Sequence, residues 1–123
     1  MNIMKKFKLY QIHTTEEEDN LINAEGHDAV PKHKMHLDMT FRNKEDTGSL
    51  AKQAFDLGYY SHVSNVTAKN IEDVFSVGNV GPESQIERFA NTSMYSVSVG
   101  DIVEDKETNK KFVVASMGFK EVA

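Results

Sequence analysis

The segment from Lys6 to His13 carries apolar side chains on both of its faces. Read as a strand, it sets Phe7, Leu9 and Gln11 on one side and Tyr10 and Ile12 on the other. A strand of this kind is central in its sheet or covered on both sides, because a bare apolar face in water is costly. The rest of the chain therefore has to build a sheet around it.

The neighbouring segments are read by the same periodicities. Thr14 or Thr15 is placed to cap a short helix. Its first turn holds Glu16, Glu17, Glu18 and Asp19, where the helix dipole favours anions, and Gly26 is placed to end it. A loop from His27 to His33 contains Pro31. Lys34 to Phe41 then alternates, with Met35, Leu37, Met39 and Phe41 against His36, Asp38 and Thr40. That pattern predicts a strand with one face on the core and one toward water. Ser49 to Leu57 has a helical stripe of Leu50, Ala51, Ala54, Phe55 and Leu57, closed by Gly58. Tyr59 to Val66 alternates again as a second strand. Thr67 is expected to cap a helix from Ala68 to Phe75, Gly78 and Gly81 to mark a loop, and Pro82 to open a helix from Glu83 to Ala90. From Tyr95 the chain turns β-rich. Val97, Val99, Ile102 and Val103 precede a charged turn, Asp105 to Lys110, and Phe112 to Ala115 return. Gly118 permits a bend before Phe119 and Val122.

This order predicts a single α+β domain over residues 1–123. The expected architecture is a mostly antiparallel sheet of five or six strands. Three or four short helices lie on one of its faces, and a β-hairpin forms the C-terminal part.

Composition narrows the function classes. A chain of 123 residues can bury a core without staples. The absence of cysteine removes disulfides, thiolate metal sites and cysteine nucleophiles together, and fits a cytoplasmic protein. The basic stretch from Met1 to Lys8 is followed by no apolar run, so neither a signal peptide nor a membrane span is read. The net charge is −5, with eleven acidic against five basic residues from Asp38 to Asp105. Lys106 to Ala123 reverses that balance, with two acidic and four basic. An acidic body with only Arg42 and Arg88 for arginines argues against nucleic acid as the main partner.

Few residues invite chemistry. His33 and His36 form an H-x-x-H pair, but on the expected strand residues three apart point to opposite faces and cannot share an ion. His36 and Asp38 would share a face and could meet a common ion or substrate; a solvated polar face explains them as well. His62 and Tyr60 would share another polar face. Lys110 and Lys111, with Lys106 and Lys120, give the hairpin a basic patch. Tyr59 and Tyr60 with Phe112 and Phe119 could stack bases, but the flanking cations of such sheets are missing around Tyr59. There is no G-x-S-x-G elbow, and Gly78–Gly81 lacks the rest of any phosphate-binding fingerprint. No catalytic residue, metal site or cofactor is therefore expected. His36, Asp38, Tyr60, His62, Lys110 and Lys111 remain as candidates for a polar or binding surface.

One pattern reaches further. Asn70 to Phe75 is followed by Gly78-Asn79, then by Ser96-Val97-Ser98-Val99-Gly100-Asp101-Ile102-Val103, then by Val114 and Gly118-Phe119. In order and spacing this resembles a group of small phage, plasmid and integrative-element proteins with an SVGD block, a short hairpin and a closing GF; the YodL-like domain has a similar ending. The likeness spans about residues 55 to 122. It differs at Tyr95, where such sequences carry a basic residue. The resemblance implies a mobile-element or viral accessory protein in the cytoplasm of a host cell and brings no catalytic residues with it. The expected function is non-enzymatic binding of a host protein, in host takeover or counter-defence. The alternative is a small nucleic-acid- or ligand-binding module built on the C-terminal hairpin. A homodimer is compatible with either.

Overall fold

Lys5–Ile12, the segment with two apolar faces, forms β1 at the centre of the sheet, hydrogen-bonded on both edges. The computed structural model describes residues 4–42, 44–89 and 93–122. Among them the chain forms α1 (Glu16–Glu25), α2 (Pro31–Leu37), α3 (Thr47–Asp56), β2 (Tyr60–Ala68), α4 (Ile71–Val80), β3 (Ile86–Arg88), β4 (Ile102–Asp105), β5 (Lys111–Val114) and β6 (Phe119–Val122). The strands lie in the order β3-β2-β1-β4-β5-β6, and every pairing is antiparallel. The class is α+β as expected, with six strands, four α-helices and a C-terminal hairpin of β4 and β5 extended by β6.

The helices cover both faces of the sheet, not one. Phe7 and Leu9 face a cluster that includes Val74 and Val77 of α4. Tyr10 and Ile12, alternate to them on β1, pack with Met39 and with Ala51, Ala54 and Phe55 of α3. The apolar residues on both sides of β1 required this, and they outweigh the class-level expectation of a one-sided sheet. The pairing of β1 with β2 slips between Leu9 and Tyr10, so that Val63 is an extra residue on β2. The bulge lets Val63 and Val66, three apart, enter one cluster.

Local signals set several boundaries. Thr15 and Glu18 make a full capping box at the start of α1. At α4 the cap is Asn70, whose side chain accepts from the Asp73 N–H. The expected cap, Thr67, stays in β2, and so does Ala68. Gly78 lies inside α4 rather than in a loop, and a Cβ there would collide with the Val97 side chain. Glu83–Gln85 is a single 3-10 turn and Ile86–Arg88 an edge strand, in place of the expected helix; Ala90 lies outside the described residues.

The largest correction concerns Lys34 to Phe41, which is helical throughout. Pro31 opens α2 at its first turn, and a π-helical turn, Asp38–Arg42, continues it. Alternation suggested a strand, yet no β-branched residue occurs between Pro31 and Met39, and Lys, Met and Leu are strong helix formers. Met35 and Met39, one turn apart, face the sheet, while Phe41 is left 71% exposed.

Candidate functional site

The helical form of α2 rearranges the candidate residues. His36 and Asp38 do not converge. The Asp38 carboxylate faces Lys34 at 3.5 Å and Arg42 at 3.7 Å. His36 turns inward, and its Nε2 is buried with no hydrogen-bond partner among the described residues. The ring packs on Gly100, where a Cβ would come within 3.2 Å of it and within 3.0 Å of Thr40 Cγ2. Gly100 has φ +97°, so backbone geometry and close contact both require glycine there. Burial, with help from His33 and His13, holds the His36 imidazole below its usual pKa and keeps it neutral.

Gly100 joins His36 to a second candidate. The Tyr60 hydroxyl donates to the Gly100 carbonyl at 2.6 Å, and burial together with the Asp101 charge pushes its pKa up. The next residue, Asp101, is buried. Its carboxylate accepts from the Gln11 amide and from the Ser98 N–H, each at 3.0 Å. Burial pushes its pKa up to about 7 against those two donors. Gln11 also donates to the Tyr95 carbonyl and accepts from the Tyr95 N–H. Residues 95–101 are thus fastened to the end of β1 by a buried amide and a buried acid. Asp101 braces its own turn at Ser98, while its contact with Gln11 lies 90 residues away and has no local signal.

The other candidates lie elsewhere. His62 stands on β2 against the Tyr10 and Phe89 rings and bonds Asn65 at 3.0 Å. Lys111 holds its ammonium 5.0 Å from the Phe55 ring centroid and 3.8 Å from Glu104. Lys110 and Lys111 line a depression of about 340 Å³ that also holds Lys52, Asp56 and Glu121. Lys52 is paired with Asp56 at 2.9 Å, so that depression has mixed charge. Among the described residues, no three His, Asp or Glu side chains are placed to hold a metal ion, and no helix is long and apolar enough to cross a membrane.

What the fold does build is a groove of about 550 Å³ beside Gly100. One wall is the outer side of α2 and the π turn, with His33, Leu37 and Phe41. The facing wall comes from two turns, through Ser98, Val99 and Ser116, and Lys44 also lines the groove. Met117, next to Ser116, is 92% exposed. The groove lining is mostly apolar, and its size is that of a ligand or peptide pocket. Sequence reasoning named His36 but missed the groove, because Phe41 had been assigned to a core-facing strand. The available signal was Pro31 ahead of a run without β-branched residues. Comparison of the chain with protein-family models, curated proteins and solved structures finds no match.

Proposed function

We propose that this chain is a non-enzymatic accessory protein of a phage or mobile element, and that it binds a host protein through the groove beside Gly100. The carrying observation is Phe41, a large apolar side chain left 71% exposed on the wall of an apolar groove. Exposed aromatic residues beside a concavity are the usual anchors of protein contacts. The site offers shape and apolar surface but no pairing of nucleophile and base: the inward nitrogen of His36 meets Gly100, and Asp38 is turned to cations. The mobile-element assignment rests on the sequence resemblance alone.

The test is affinity capture from host lysate with the wild type and with Phe41→Asp in parallel. The expected result is one reproducible host protein held by the wild type and lost by the variant, with unchanged circular dichroism. Capture that is indifferent to Phe41 would remove the groove from the reading. Salt-dependent retention on heparin would instead favour the hairpin, through Lys106, Lys110 and Lys120.

A further inference from the structure

We infer that the segment seated in this groove is an apolar side chain flanked by a carboxylate; the inference rests on the docking reading above and names the chemistry of its partner. The chain has 19 acidic residues and a net charge of −5, yet none of the acids lines the groove. Four acids lie within two residues of its lining, and Glu45 and Asp46, which follow Lys44, line a separate depression with Lys52 and Lys120. Asp38 faces Lys34 and Arg42, and Asp101 is buried with Gln11 and Ser98.

The cation at the groove is free. Lys44 has no ion-pair partner among the described residues, whereas neighbouring Arg42 is held by Asp28 at 2.8 Å. Ser98 and Ser116 add hydroxyls to the same lining. An apolar side chain would cover Leu37, Phe41 and Val99, and a carboxylate beside it would meet the Lys44 ammonium in a charge-assisted hydrogen bond. A basic flank would meet no carboxylate among the described residues of that lining. The overall negative charge repels an acidic partner at long range, so the preference comes from the local placement of Lys44 and not from the field of the whole molecule.

The experiment uses three dansylated peptides that share a central Leu-Phe pair and carry Glu, Ser or Lys flanks. Anisotropy titrations with the full chain are run on the wild type, Lys44→Glu and Phe41→Asp; both substituted residues are exposed, so the fold persists. The Glu-flanked peptide is expected to bind tightest, by about threefold over the Ser-flanked one, as befits an exposed ion pair. Lys44→Glu is expected to abolish or invert that order, and Phe41→Asp to weaken all three peptides. Equal binding of the three that still depends on Phe41 would overturn the acidic preference and leave the docking reading standing. Failure of every peptide to bind, or displacement only by free octanoate, would overturn both.

Discussion

The middle of the sheet under α4 and the end of the sheet around Gly100 are built on different principles. Under α4 the buried packing is dominated by apolar residues, from Phe7 and Leu9 through Val63 and Val66 to Val74, Val77 and Val103, with Ser64 opposite Leu9 as a buried polar exception. At the Gly100 end Gln11 and Asp101 are buried and Tyr60 is half-buried, all three held by directed hydrogen bonds, while the His36 ring packs on Gly100 through contact alone. Apolar packing is non-directional and scales with area, so the first region supplies stability. Directed bonds fix positions, so the second region supplies the shape of the turn that walls the groove. On the proposed docking reading, the contrast separates folding from binding within one small domain.

Leu9→Ala is the sharpest way to break that separation. Leu9 is fully buried on the central strand, and its truncation is expected to cost about 2–5 kcal/mol. Urea denaturation measures the loss. Peptide affinity per folded molecule should not change; if it falls too, the two regions are not independent.

Asp101→Asn comes next in size and probes the other region. The folded-state pKa of Asp101 is raised from 3.8 to about 7, chiefly by burial. The native state therefore holds this proton more tightly than the unfolded chain does. The resulting stability is fully present below about pH 4 and is lost as pH rises through about 7. Asparagine keeps a carbonyl for the Ser98 and Gln11 donors but does not titrate. Relative to wild type, the variant is expected to gain on the order of a few kcal/mol as pH rises across that window. His36 works in the opposite sense. Its pKa is lowered by burial, so its contribution is present above about pH 6.5 and is lost on acidification. Thermal unfolding followed across pH should show the two arms. Parallel curves for wild type and Asp101→Asn would refute the assignment of a buried, protonatable acid.

Both regions were only partly legible in the sequence, and for a common reason. Signals that act within one turn were readable: a threonine cap at Thr14 or Thr15 before an acidic first turn, the stripe of α3, the charged turn between β4 and β5. Signals that depend on distant partners were not. Gln11 sits at an inward position of an alternating strand, which announces a buried partner without naming it. Gly78 reads as a loop former until Val97 is placed against it. At Lys34 to Phe41 two periods competed, and Met35 and Met39 satisfy a helix as well as a strand. Residue composition decided in favour of the helix, and with that the exposed side of α2 became the groove wall.

Tyr60→Phe tests whether one bond supports that wall. Removing the hydroxyl frees the Gly100 carbonyl from its 2.6 Å contact and is expected to cost about 1–2 kcal/mol. Amide exchange at residues 98–101 should speed up while exchange in β1 stays slow. Uniform acceleration across the sheet would place Tyr60 with the apolar core and erase the boundary drawn above.

The smallest effect on stability is expected where the effect on binding is largest. Phe41 is mostly solvent-exposed, and Phe41→Ser should move stability by no more than about 0.5 kcal/mol in either direction. An aromatic side chain that adds nothing to the fold still carries the desolvation cost and aggregation risk of exposed apolar surface. The proposed docking reading gives it a partner that covers it. If Phe41→Ser lowered the melting temperature markedly, the side chain would belong to the core of α2 and the π turn, and the groove would lose its anchor. An unchanged melting temperature with lost peptide binding would assign Phe41 to recognition.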